Sequence, residues 1–180
     1  MRKAFEKQTR FGCPGVKDIE VNLNRRDEII SILSALKYIY SEASLRDRIL
    51  TLVAADVNRD SRDDCGQETL SYWQVLVLAV VRLGCNIDDD RLQDLAEQHR
   101  TLRMMMGIGD WDDRTDFGRR RIRDNVCLLR AEMVERINHL VVSAGQELPE
   151  RCRYVVGGFV FSVEASIGCF SSRTGDAVQG

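Results

Sequence analysis

Proline occurs only twice in 180 residues, at positions 14 and 149, and no glycine falls within residues 16–65. That scarcity excludes a many-turned β architecture, which needs both residues at frequent reversals, and favours helices. The longest unbroken apolar run, Val75 to Val81, has seven residues, far short of the roughly 20 that a membrane-spanning helix needs. Basic residues open the chain at Arg2 and Lys3, but no apolar stretch follows them, so no secretory signal is expected. Histidine appears twice and cysteine six times. No Cys-x-x-Cys pair is present and no histidine stands at the spacing of a zinc partner. Cys85 and Cys127 sit inside helical patterns and read as small core residues. A reduced, cytoplasmic protein is the expectation. A phosphate-cradling glycine loop is missing too, since Gly107-Ile108-Gly109 is too short and stands at a helix end.

What the chain does contain is an apolar fraction of 44% and a charged fraction of 30%, enough for a real core under a hydrated surface. Its length suits one domain, or one domain with a fragment of a second. The formal net charge of −2 excludes a globally basic protein. Any contact with nucleic acid must therefore be local.

Along the chain, residues 1–24 are weakly patterned, with a loop at Gly12, Pro14 and Gly15. Alternation of Ile19, Val21 and Leu23 suggests a short extended arm. Asp27 can cap a helix whose period runs through Ile29, Ile30, Leu33, Leu36, Lys37 and Tyr40. Ser44 can cap a second, striped by Leu45, Ile49, Leu52 and Val53. From Asp56 to Glu68 the composition turns polar and acidic, as in a surface loop. Ser71 and Gln74 then match a capping box, and Gly84 stands where the helix would stop. The intervening residues, Trp73 and Val75 to Val81, are apolar on nearly every side and belong at the centre of a bundle. Asp88-Asp89-Asp90 opens a helix with Leu92, Leu95 and Ala96, and a shorter one carries Leu102, Met105 and Met106. Three short helices with tight connections fit a helix-turn-helix core.

The sharpest local feature comes next. Arg119-Arg120-Arg121-Ile122-Arg123 places four positive charges in five residues, on a helix that Thr115 or Asp116 can cap. Phe117, Ile122, Val126 and Leu129 face the core there, and Arg119, Arg120 and Arg123 point outward. A positive slope on one helix is how a small domain meets the phosphate backbone. The competing view is a solvated face, with the arginines loosely paired to Asp116 and Asp124. A last helix holds Met133, Val134, Ile137, Leu140, Val141 and Ala144 on one side, with Gly145 after its final turn. Beyond Pro149, Tyr154-Val155-Val156 and Phe159-Val160-Phe161 read as β-strand around Gly157-Gly158.

Nothing supports an active site. The three aspartates at 88–90 read as capping and solvation. His99 and His139 lack partners at ligand spacing, and Cys127 with His139 has no motif of a nucleophilic dyad. Met104-Met105-Met106 reads as core filler.

The order of segments resembles the N-terminal helical domain of bacterial insertion-sequence transposases of the Asp-Asp-Glu type. The residues that carry the likeness begin with Trp73-Gln74-Val75-Leu76-Val77-Leu78, Val81-Arg82-Leu83-Gly84 and Asp90-Arg91-Leu92-Gln93-Asp94-Leu95-Ala96. They continue with Leu102-Arg103-Met104-Met105-Met106-Gly107, Phe117, Asp124-Asn125-Val126 and Ile137-Asn138. Arg2-Lys3-Ala4-Phe5-Glu6 and Tyr38-Ile39-Tyr40 are similar to that family's leader. In such proteins the helical region precedes a ribonuclease-H-like domain whose first strand bears the first catalytic aspartate. Here that strand corresponds to Tyr154 to Phe161, with Gly157 or Gly158 where the aspartate is expected. Glu164-Ala165-Ser166-Ile167 is only faintly similar to the segment after it, and no second aspartate or glutamate follows in register. The carboxylate set that holds Mg²⁺ for two-metal phosphoryl transfer is therefore not expected on this chain.

These observations imply a mainly α, multi-helix bundle with a helix-turn-helix-like core, followed by the β stub of an incomplete ribonuclease-H-like domain. The expected divisions are an arm at 1–24, a helical DNA-binding domain at 25–148 and a degenerate start of the catalytic domain at 149–180. The expected partner is DNA, most simply the ends of the element, with a homo-oligomer as a second possibility and no membrane, cofactor or metal. Arg119, Arg120, Arg121 and Arg123 are the candidate phosphate contacts, with Arg100 and Arg103 as weaker ones. Two other classes stay open: a helical protein–protein assembly or inhibitory module, and a non-functional relic of a mobile element.

Overall fold

A computed structural model of the protein describes residues 14–22, 27–59, 70–109 and 117–146. These residues form seven α-helices: α1 (Glu28–Ser41), α2 (Ala43–Val57), α3 (Tyr72–Gly84), α4 (Asp89–Gln98), α5 (Arg100–Met105), α6 (Arg119–Val126) and α7 (Ala131–Gln146). No strand occurs among the described residues, so the chain is mainly helical there. The strand expected at 154–161, and all of 149–180, lie outside the described residues.

α3 is the axis of the bundle. Every residue from Tyr72 to Val81 except Gln74 is buried, and the helix packs against α1, α2, α4 and α6. An all-apolar helix has no polar face to offer water, so neighbours must surround it. The expected capping box is present: Gln74 N–H donates to Ser71 Oγ at 3.3 Å and Ser71 N–H to Gln74 Oε1 at 3.0 Å. The same two turns grip α5. Trp73 Nε1 donates to Met105 O at 2.8 Å and Gln74 Nε2 to Met106 O at 3.0 Å, satisfying carbonyls that a helix end leaves orphaned. Trp73 also meets Tyr40 edge-on, with ring centroids 5.0 Å apart.

The stop of α3 differs from expectation. Gly84 is still helical, and it is Asn86 that turns left-handed, at φ 48°. Ile87 N–H then donates to Arg82 O at 3.1 Å and Asn86 N–H to Leu83 O at 3.2 Å, the paired bonds of a Schellman ending. α5 ends in the same way at Gly107, at φ 75°.

Other starts and stops were set by tertiary contacts that no local pattern encodes. α2 begins at Ala43 with Glu42 as its N-cap, so Ser44 falls in the first turn instead of capping. Arg46 secures this corner, donating to Tyr40 O at 3.2 Å and lying 5.3 Å over the Tyr40 ring. Just ahead of the segment expected as a short extended arm, Val16–Asp18 forms a one-turn 3-10 helix on α1. Ile19 then has extended backbone, Val16 and Ile19 are buried, and Lys37 Nζ donates to Ile19 O at 2.7 Å, while Leu23 lies outside the described residues. Asp56, expected to open a surface loop, is buried on the last turn of α2. Its carboxylate takes three bonds from Arg130: backbone N–H at 2.9 Å, Nε at 2.8 Å and a short contact from Nη2. The end of α2 is thereby fastened to the start of α7.

The two described cysteines divide. Cys127 is exposed, contrary to the core role expected of it: the helix closes at buried Val126, and Cys127 is its C-cap. Cys85, beside the start of α1, has its thiol pushed up to about 11, first by burial and then by the Glu28 and Asp27 carboxylates. Against an ordinary value of 9.0 this leaves about a hundredfold less thiolate at pH 8. Iodoacetamide at that pH should label Cys85 correspondingly slowly in a peptide-mapping time course. Labelling at the rate of glutathione would contradict the burial.

Candidate nucleic-acid interface

α6 is the helix that carries the arginine run, and it is built against electrostatic habit. A helix N-terminus is positive and favours carboxylates, with a side-chain oxygen as cap. Here Arg119, Arg120 and Arg121 fill the first turn, no acidic residue shares it, and the N-cap is Gly118 with no side-chain bond. Thr115 and Asp116, the expected caps, lie outside the described residues, and Gly118 holds the N-cap position. Ile122 and Val126 anchor the other face in the core, behind fully buried Phe117. α6 packs on α3 and α4, which also pack on each other.

Four arginines in sequence become three at the surface. Side chains of Arg119, Arg120 and Arg123 are 62%, 92% and 60% exposed. They share one face with Asp124, since positions 119, 120, 123 and 124 recur at helical spacing. Arg121 turns inward: it is half-buried, and its Nε is buried without a hydrogen-bond partner. Its place on the polar side of the helix gave no local sign of this, because burial depends on how α6 seats against its neighbours.

All three exposed arginines are in ion pairs. Arg119 Nε lies 2.8 Å from Asp90 Oδ1 on α4, Arg120 Nε 3.5 Å from Asp124 Oδ2 and Arg123 Nε 3.8 Å from Asp124 Oδ1. The pairing with Asp124 matches the solvated-face expectation, and Asp116 lies outside the described residues. Asp90 was not foreseen as a partner, since it stands on a different helix. The acidic triplet is therefore divided among separate tasks. Asp88 caps α4 through Arg91 N–H at 2.8 Å, Asp89 pairs with Arg82 at 3.0 Å, and Asp90 reaches α6.

The weaker candidates belong to a different helix. α5 packs on α4 and α1, so Arg100 and Arg103 do not extend the face of α6 along one helix. Arg100 is exposed, whereas Arg103 is half-buried and its Nη1 donates to Glu97 O at 3.3 Å, tying off the end of α4. His99 caps α5, its Nδ1 accepting from Leu102 N–H at 3.1 Å. His139 is exposed on α7. Among the described residues no group of three or more His, Cys, Asp or Glu side chains is placed to hold a metal. No described helix is long and apolar enough to cross a membrane. What remains is an arginine face with anionic partners already in contact. No protein-family model, no curated protein and no solved structure matches the chain.

Proposed function

We propose that the chain is the DNA-binding, N-terminal portion of an insertion-sequence transposase, with α6 as its phosphate-contacting helix. One observation carries this. Three arginines occupy the uncapped positive end of α6, where they oppose the helix dipole, and a bound phosphate would relieve that cost. A helix kept only for solvation gains nothing from such an arrangement. Local rules are broken most often where function asks for it. The packing of α3 on α4 and of α4 on α5 is compatible with the helix-turn-helix-like core expected of those three helices, and α6 lies against α3 and α4 beside it. The likeness to transposase leaders supports the choice of DNA as partner.

Fluorescence anisotropy of a labelled duplex, titrated at several salt concentrations, tests the proposal. Affinity should fall steeply with salt, with each phosphate contact adding about 0.9 to the slope of log K against log salt. The variant Arg119→Ala/Arg120→Ala/Arg123→Ala should bind at least about tenfold more weakly and lose about 2–3 from that slope. Arg121 is left in place, because its half-buried side chain would confuse binding with folding. No binding by the wild type at low salt would reduce α6 to a solvated face.

A further inference from the structure

The arginine face is not open to solvent anions on equal terms, because two carboxylates already stand on it. Asp90 comes from α4 and sits 2.8 Å from Arg119. Asp124 lies between Arg120 and Arg123 on α6 itself. Each occupies a place where a phosphate oxygen would pair with the same guanidinium. From this we infer that Asp90 and Asp124 are intramolecular competitors for the phosphate backbone, which set the affinity of the site and hold down indiscriminate binding. The inference rests on the DNA-binding reading of α6 and adds its regulation.

The physics is an exchange. All five side chains are more than half exposed, so the pairs are weak enough to break in water. A lone phosphate gains little, since it trades one anionic partner for another. Several phosphates held at fixed spacing can displace both carboxylates at once and recover all three arginines. Asp90 and Asp124 then remain beside the bound backbone and repel it, an opposing element that raises the threshold for poor ligands. Removing the two charges should therefore strengthen binding to any polyanion, most at low salt, where the repulsion is least screened.

The test compares wild type, Asp90→Asn/Asp124→Asn and a control, Asp47→Asn. Asp47 is an exposed carboxylate in an ion pair with Arg46 on α2, at 3.1 Å. Two probes are used: a duplex of arbitrary sequence in solution, and a heparin column eluted with a salt gradient. Thermal melts confirm that each variant is folded. The double variant should bind the duplex about three- to tenfold more tightly and elute from heparin at higher salt, while Asp47→Asn shifts either by less than about twofold. A double variant that shifts no more than twice the control on both probes overturns the inference. Heparin retention that rises without any duplex binding would sink the DNA reading while upholding the competition. Loss of retention on both probes, for every form, would sink both.

Discussion

Replacing Arg130 with alanine is expected to lower folding stability by about 3 kcal/mol, measured by urea denaturation of the purified protein. The reason lies in the partner left behind. The Asp56 side chain is fully buried, whereas Arg130 is 45% exposed. Truncating the arginine strands a carboxylate in the core, with only the backbone N–H of residue 130 still donating to it. A buried charge so poorly compensated is among the few causes of large single-site effects. Arg130→Lys restores the charge but not the geometry of Nε and Nη2, and should recover only part of the loss. If Arg130→Ala cost less than about 1 kcal/mol, Asp56 would have to reach water, and the fastening between α2 and α7 would be wrong.

Trp73→Ala is expected to be the more damaging change, at about 4–5 kcal/mol. It opens a void beside the axis of the bundle, where the indole is wholly buried. It also removes the donor to Met105 O and the edge-on contact with Tyr40. Trp73→Phe keeps most of the volume and separates the terms: the loss of the indole N–H alone leaves one buried carbonyl unsatisfied, about 1–3 kcal/mol. Thermal or urea unfolding followed by circular dichroism reads both. Equal effects from Phe and Ala would mean that the hydrogen bond to α5, not packing, dominates at this position.

The sequence made most of the bundle legible where the determinants were local. The capping box at Ser71 and Gln74, the Asp88 cap and the buried period of α3 all act within a few residues of the signal they leave. The outward aim of Arg119, Arg120 and Arg123 followed from helical spacing for the same reason. Failures came where a distant partner overrode a local rule. Asp56 looked like loop because nothing near it announces Arg130. Ser44 lost its capping role to a corner built by Arg46 and Tyr40. The end of α3 was missed for a local reason instead, since Asn86 can adopt the left-handed position that was expected of a glycine. Arg121 and Arg103 stood among the candidate phosphate contacts, yet one is half-buried and the other ties down Glu97 O. Asp90 as a partner of Arg119 was invisible for the same reason, since a contact between helices is written in neither.

The bond between Asp56 and Arg130 joins positions 74 residues apart, which has a consequence for the order of synthesis. At about 5–20 residues per second a ribosome needs roughly 4–15 s to make that stretch. Until Arg130 emerges, the carboxylate of Asp56 has no cation to meet, and the far turn of α2 cannot close over it without penalty. The nascent chain is therefore held open at that end for seconds, long compared with the microseconds a helix takes to form. Whatever attends the chain at birth, chaperone or protease, finds its opening there, and the arrival of α7 ends it.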